Sequence, residues 1–142
     1  MSRKMTGDEW RAFLRHGTRT GKLATVRRDG RPHVVPIWFV LDGDDIVFTT
    51  SASTTKANAM RRDSRVCICV DDETPPFAFV MVEGGATMTD DLDEMLAYAT
   101  RIGGRYMGVD RAEEFGRRNA VRGELLVRVT PTRILAYAEI SD

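Results

Sequence analysis

The stretch Arg31-Pro32-His33-Val34-Val35-Pro36-Ile37-Trp38-Phe39-Val40, with Ile46-Val47-Phe48 and Thr49-Thr50-Ser51-Ala52-Ser53-Thr54-Thr55-Lys56 behind it, decides how this chain reads. Runs of Val, Ile and aromatic residues bounded by turn residues read as strands. Asp29-Gly30 before the first run is a strong hairpin signal. Asp42-Gly43-Asp44-Asp45 turns the chain into the second. The unbroken apolar character of 34–40 suits a strand buried on both faces. Pro36 removes a ladder donor, so the strand is irregular or lies at an edge there. Six of the seven residues from 49 to 55 carry a hydroxyl, and Lys56 then opens a helical segment. Hydroxyls, the free N–H groups of a helix start and one ammonium form a receptor for phosphate. The neighbouring strand offers flat apolar surface for a ring, and a phosphorylated, ring-bearing cofactor satisfies both. The plainer alternative, a polar strand end with an N-cap, needs only one of those hydroxyls.

Upstream, Thr6-Gly7-Asp8-Glu9 fits a capping box, Met5 and Trp10 occupy the staple positions, and Gly17 offers a C-cap. Trp10, Phe13 and Leu14 fall on one helical face. Strands are expected over 21–28, 32–41 and 46–50, then a helix over 54–62 with Ser53 or Thr54 as N-cap, and a strand over 65–70. An Asp/Glu/Pro loop at 71–76 leads to a long strand over 77–88, where Gly84-Gly85 marks a bulge or bend. Helices are expected over 90–106 and 110–119, the second with Asp110-x-x-Glu113 as its cap. Two closing strands, 124–130 and 133–140, are split by Thr130-Pro131-Thr132. Antiparallel strands in a meander with helices at the start, middle and late positions argue for α+β with a small antiparallel barrel. No repeat, linker or βαβ alternation is present, so 1–142 reads as a single domain.

The 142 residues suffice to bury most of their apolar surface. Net charge is zero, 21 basic against 21 acidic residues, so no global field draws the chain to nucleic acid or membrane. No apolar run of about 18 residues and no signal-like N-terminus occurs, which leads to the expectation of a cytoplasmic protein. Cys67 and Cys69 share a strand face without C-x-x-C spacing and read as packing thiols. The basic residues are 18 Arg and only 3 Lys, which singles out Lys56. Walker, Rossmann, zinc-protease and nucleophile-elbow motifs are absent. Two histidines and one C-x-C supply no metal-ligand set. His33 reads as a surface residue, His16 as a helix-end residue, and Arg61-Arg62 as a solvated face.

Taken in order, Gly21-Lys22-Leu23-Ala24-Thr25-Val26, Asp29 to Phe39, Phe48-Thr49-Thr50 with Lys56, Ala59-Met60-Arg61-Arg62-Asp63, Val82-Glu83-Gly84 and Pro131 to Tyr137 carry a resemblance over nearly the whole chain. The chain resembles the split β-barrel flavin and deazaflavin oxidoreductases related to pyridoxamine-phosphate oxidase. In detail it looks like the actinobacterial branch that uses coenzyme F420 rather than FMN. The resemblance implies a homodimer with each cofactor in a groove between two subunits. It places the ring against Val35, Pro36, Ile37 and Trp38, with Thr49, Thr50 and Ser51 approaching the cofactor. Lys56 would take the phosphate, Thr55 and Asn58 would lie beside it, and Phe77 and Ala78 would border the site. The implied activity is hydride transfer from reduced F420 to a small organic acceptor, with no protein side chain named as catalyst. An FMN-dependent oxidoreductase and a non-catalytic flavin- or deazaflavin-binding module are the alternatives. The extra arginines that surround a substrate phosphate in the FMN-using oxidases are not found at recognisable spacing, which sets pyridoxamine-phosphate oxidation apart.

Overall fold

The computed structural model covers Met1–Asp142. In chain order the elements are β1 (Arg3–Lys4), α1 (Gly7–Arg15), β2 (Gly21–Val26), β3 (Pro32–Ile37), β4 (Val40–Asp42), β5 (Asp45–Ser51), α2 (Thr55–Arg62), β6 (Arg65–Asp72), β7 (Ala78–Thr89), α3 (Leu92–Met107), a 3-10 turn (Val109–Arg111), α4 (Ala112–Asn119) and β8 (Glu124–Ala138). The strands form one antiparallel sheet in the order β3-β2-β6-β7-β8-β5-β4, with β1 also on β8. β3 and β4 are therefore opposite edges of the sheet, yet only Trp38 and Phe39 separate them in sequence. Three Cα steps reach roughly 11 Å at most, so the two edges must approach each other. The sheet curls into a barrel split along that seam. The fold is an α+β split barrel with flanking helices.

The barrel interior holds an 18-residue apolar cluster that includes Leu23, Phe39, Phe48, Ile68, Val80 and Val127, all 0% exposed. Each such side chain contributes about 1.5–3 kcal/mol relative to exposure. A second cluster of Val40, Val47, Met95, Ile102 and Leu126 lies between the outer side of β4-β5-β8 and α3. Along β5, Ile46 and Phe48 join the interior while Val47 faces α3. The strand buried on both faces is thus β5 and not the 34–40 stretch. β3 alternates, with Val34 and Pro36 exposed between half-buried His33 and Val35, and Val34 is 64% exposed. As an edge strand it needs no partner beyond β2, which is how Pro36 is accommodated.

The capping box on α1 forms, with Thr6 Oγ1 accepting from Glu9 N–H at 3.2 Å and Glu9 Oε1 accepting from Thr6 N–H at 3.1 Å. His16 is the C-cap residue, and Gly17 at φ +57° turns the chain just beyond it. α3 starts at Leu92 with Asp91 as its cap, and the Asp110-x-x-Glu113 pattern makes no cap. Residues 109–111 instead form a 3-10 turn, so α4 begins after Asp110 has passed. The two expected closing strands are one, β8, running through Pro131. Pro131 pairs with Gly84 where the β7–β8 register slips between Glu83 and Gly84. A residue with no N–H meets one with no side chain, so the strand bends there without ending.

A Cβ on Gly84 would meet the Thr130 carbonyl oxygen and Val129 Cγ1, whereas one on Gly85 would meet nothing within 4 Å. Gly84→Ala is therefore expected to destabilise by about 1–3 kcal/mol and Gly85→Ala by less than about 1 kcal/mol, as measured by urea denaturation.

Candidate functional site: a cleft at the barrel seam

The two crossing residues are pinned by α3. Phe39 N–H donates to the Tyr106 hydroxyl at 3.3 Å, and Tyr106 O–H donates to the Arg19 carbonyl at 2.7 Å. Arg105 donates to the carbonyls of Phe39, Leu14 and Gly17 at 2.8, 2.7 and 2.9 Å. Its guanidinium also lies 4.7 Å from the Phe39 ring centroid. Burial raises the Tyr106 phenol above its ordinary pKa and lowers that of Arg105. With the N–H and C=O of Phe39 satisfied, Trp38 turns outward. Its ring stacks on Tyr106 at 5.0 Å and 4° and tilts against Phe115 at 6.3 Å.

Beside Trp38 opens a cleft of about 520 Å³, lined by Pro36, Ile37, Trp38, Thr49, Lys56, Ile102, Met107, Phe115, Arg118 and Asn119. Four elements build it. β3 and the crossing give the apolar wall, β5 gives Thr49, α2 gives Lys56 from its first turn, and the α3–α4 pair gives the roof. The lining holds two cations, Lys56 and Arg118, and no carboxylate. Neither cation makes an ion pair or a hydrogen bond within the chain. Burial raises the Glu124 carboxyl above its ordinary pKa, and the charge of Lys56 opposes that rise. The cleft thus combines an apolar side, Ile37, Trp38, Ile102, Met107 and Phe115, with polar groups that include two cations.

The hydroxyl-rich loop divides its labour. Thr54 caps α2 through Ala57 N–H at 3.2 Å and donates to Ser51 O at 3.0 Å, while Thr50 and Thr54 hydroxyls lie 3.0 Å apart. Ser51 and Ser53 hydroxyls pair at 3.2 Å. Four of the six hydroxyls are therefore occupied within the turn, more than a single cap would use. Thr50 is buried, on the same side of β5 as Ile46 and Phe48, away from the cleft. Thr49 faces the cleft from the opposite side.

Among the residues singled out in the sequence, Pro36, Ile37, Trp38, Thr49 and Lys56 come together in this cleft. Val35 is half-buried on the inner side of β3, opposite Leu23. Ser51 lies at the end of β5. Thr55 and Asn58 are exposed on α2, and Asn58 accepts from Arg61 at 2.9 Å. Phe77 and Ala78 lie elsewhere in the chain, lining a cavity of about 480 Å³ between α1 and the 72–78 segment. Arg62 donates to the Val26 carbonyl and takes no part in the cleft. Ile102, Met107, Phe115, Arg118 and Asn119 were not anticipated. Positions 115, 118 and 119 have the i, i+3, i+4 spacing of one helical face, which is the one local signal that marks them.

This geometry has a known setting. Residues 6–137 match the pyridoxamine 5'-phosphate oxidase family. The chain belongs to that family. Among solved structures, a conserved hypothetical protein from Mycobacterium tuberculosis superposes with a TM-score of 0.84 at 26% identity, covering 96% of this chain and 87% of that one. A protein described as an F420 reductase gives a TM-score of 0.69 at 26% identity, over 87% of this chain and 94% of the other. An FAD-binding protein from Mycobacterium smegmatis shares the fold, with a TM-score of 0.65 at 24% identity and coverage of 94% and 97%. In this pyridoxamine 5'-phosphate oxidase family member, the α3–α4 pair both closes the seam and roofs the cleft.

Tyr106→Phe keeps the stack on Trp38 but orphans the N–H of Phe39, which is 0% exposed. The expected cost is about 1–3 kcal/mol by chemical denaturation, accompanied by a shift in Trp38 fluorescence.

Proposed function

We propose that this protein is a coenzyme F420-dependent oxidoreductase that acts as a cytoplasmic homodimer on a small organic acceptor. The observation that carries the reading is the cleft itself, with an aromatic and aliphatic side, an ammonium at a helix start that makes no ion pair, and no carboxylate in its lining. Those residues fit a phosphorylated tricyclic cofactor. Lys56 and the first N–H groups of α2 suit the phosphate, since both the charge and the helix end favour an anion. Pro36, Ile37 and Trp38 suit the flat ring. The likeness to a protein described as an F420 reductase favours the deazaflavin over FMN.

When bound, the reduced deazaflavin would supply a hydride, two electrons and one proton, to an electron-poor double bond or other acceptor, with one further proton completing the product. The chain's own part is to bind, orient and exclude water. Trp38 is clamped between the α3 and α4 aromatics, so the wall it offers is preset and costs little ordering on binding. Ile102, Met107 and Phe115 give the roof an apolar face. Lys56 holds the anionic tail, which fixes how far along β3 the ring can slide.

The homodimer is supported by the outer face of the sheet. Cross-strand pairing puts Cys69, Met81 and Leu135 in one outward row and Phe79 and Tyr137 in the next. All five are half-buried rather than covered. Burial raises both Cys67 and Cys69 thiols above their ordinary pKa, in keeping with packing rather than redox roles.

Fluorescence titration is expected to show clearly tighter binding of F420 than of FMN, and tighter FMN binding would overturn the cofactor choice. Lys56→Ala should lose about 1.5–3 kcal/mol of F420 affinity, roughly tenfold to more than a hundredfold, while the thermal midpoint stays within a few degrees. Binding of reduced F420 without oxidation across a broad acceptor panel would instead mark a binding module. Met81→Glu places a charge in the outward row and is expected to shift the sedimenting species from two 15.9 kDa chains to one.

A further inference from the structure

Two unpaired cations open onto the cleft from different elements, Lys56 in the first turn of α2 and Arg118 in the last turn of α4. A single phosphate tail at the α2 start needs only the first. Arg118 is not committed to the fold. Its one aromatic contact is a guanidinium 5.5 Å from the Phe115 ring centroid, and it makes no ion pair. Nearby arginines differ, since Arg117 on the same helix pairs with Glu113 at 3.5 Å, and Arg111 in the preceding 3-10 turn pairs with Glu114 at 3.1 Å. A cation in the last turn also favours the helix dipole, but any azimuth serves that purpose. Arg118 lies three residues after Phe115, on the face that meets the cleft. A guanidinium resting on a ring keeps its planar N–H fork free, and that fork matches a carboxylate in two-point geometry as an ammonium cannot.

We propose that Arg118 is a specificity-determining residue that receives a carboxylate of the acceptor, so that the preferred substrate is a planar unsaturated acid. The proposal rests on the cleft being the F420 site. The apolar roof beside Arg118, Phe115 with Met107, takes the planar body of the acid and leaves Trp38 to the cofactor ring. Lys56 and Arg118 thereby divide two anions between cofactor and acceptor.

Trp38 reports cleft occupancy once Trp10, the other of the chain's two tryptophans, is replaced by Phe. In that background, cinnamate and cinnamamide are titrated by fluorescence with and without F420. The expected result is at least tenfold tighter binding of the acid than of the amide. Arg118→Gln should reduce that preference below twofold, Arg118→Lys should restore only part of it, and the F420 dissociation constant should move less than threefold in both. Arg118 is exposed, so both variants are expected to fold with an unchanged thermal midpoint. The proposal is overturned if the acid preference survives in Arg118→Gln, if it is lost in Lys56→Gln alone, or if the wild type shows none. A tenfold loss of F420 affinity in Arg118→Gln with the acid preference intact would assign Arg118 to the cofactor and overturn it too. Failure of the wild type to bind F420 would remove the cofactor reading separately, because the acid–amide comparison in cofactor-free protein still decides the role of Arg118.

Discussion

The hydrogen bonds that Arg105 and Tyr106 make at Phe39 are the constraint on which the rest depends. A chain that leaves one edge of a sheet and joins the opposite edge after two residues exposes its peptide groups where no ladder can take them. At the barrel seam Phe39 is fully buried, so an unmet N–H or C=O there would cost about 1–3 kcal/mol each. α3 supplies the missing partners from two consecutive residues. The same pair reaches α1 and the following segment, through the Leu14, Gly17 and Arg19 carbonyls. One contact set therefore closes the barrel, docks the N-terminal helix and sets the plane of Trp38.

The cleft follows from that closure. Once Phe39 is drawn inward, Trp38 has to face out, and Tyr106 gives it a parallel surface. The turn after β5 then delivers Lys56 to the cleft, its geometry held by hydroxyl-to-hydroxyl and hydroxyl-to-backbone bonds of Thr50, Ser51, Ser53 and Thr54. On the outer side of the same sheet Arg128 meets Asp42 and Asp45 at 2.8 and 3.1 Å and the Tyr98 hydroxyl at 3.1 Å. In the cleft, by contrast, Lys56 and Arg118 face a lining that contains no carboxylate.

Much of this was legible from local signals. The Asp29-Gly30 hairpin, the capping box at Thr6 and Glu9, the bulge at Gly84 and the helix opening at Lys56 are short-range chemistry, and each forms where its residues sit. The errors fall where long-range pairing outweighs local pattern. The 34–40 run looks doubly buried, but residues 34–37 lie in an edge strand with β2 as its sole ladder neighbour, and Val40 already belongs to β4. Pro131 looks like a break until its pairing with Gly84 shows that the bend is shared between two strands. Asp110 loses its capping role because the chain takes a 3-10 turn before α4. Of the cleft, the strand and loop half could be read because its residues lie within about twenty positions of one another. The α3–α4 half lies more than forty positions further on and carries no motif, only the one-sided spacing of Phe115, Arg118 and Asn119.

A crystal structure of the protein soaked with F420 tests the account most directly. A phosphate oxygen is expected within roughly 2.7–3.2 Å of Lys56 Nζ, with the ring laid along Pro36, Ile37 and Trp38. A cofactor lodged instead in the cavity between α1 and the 72–78 segment, with the seam cleft left empty, would contradict it.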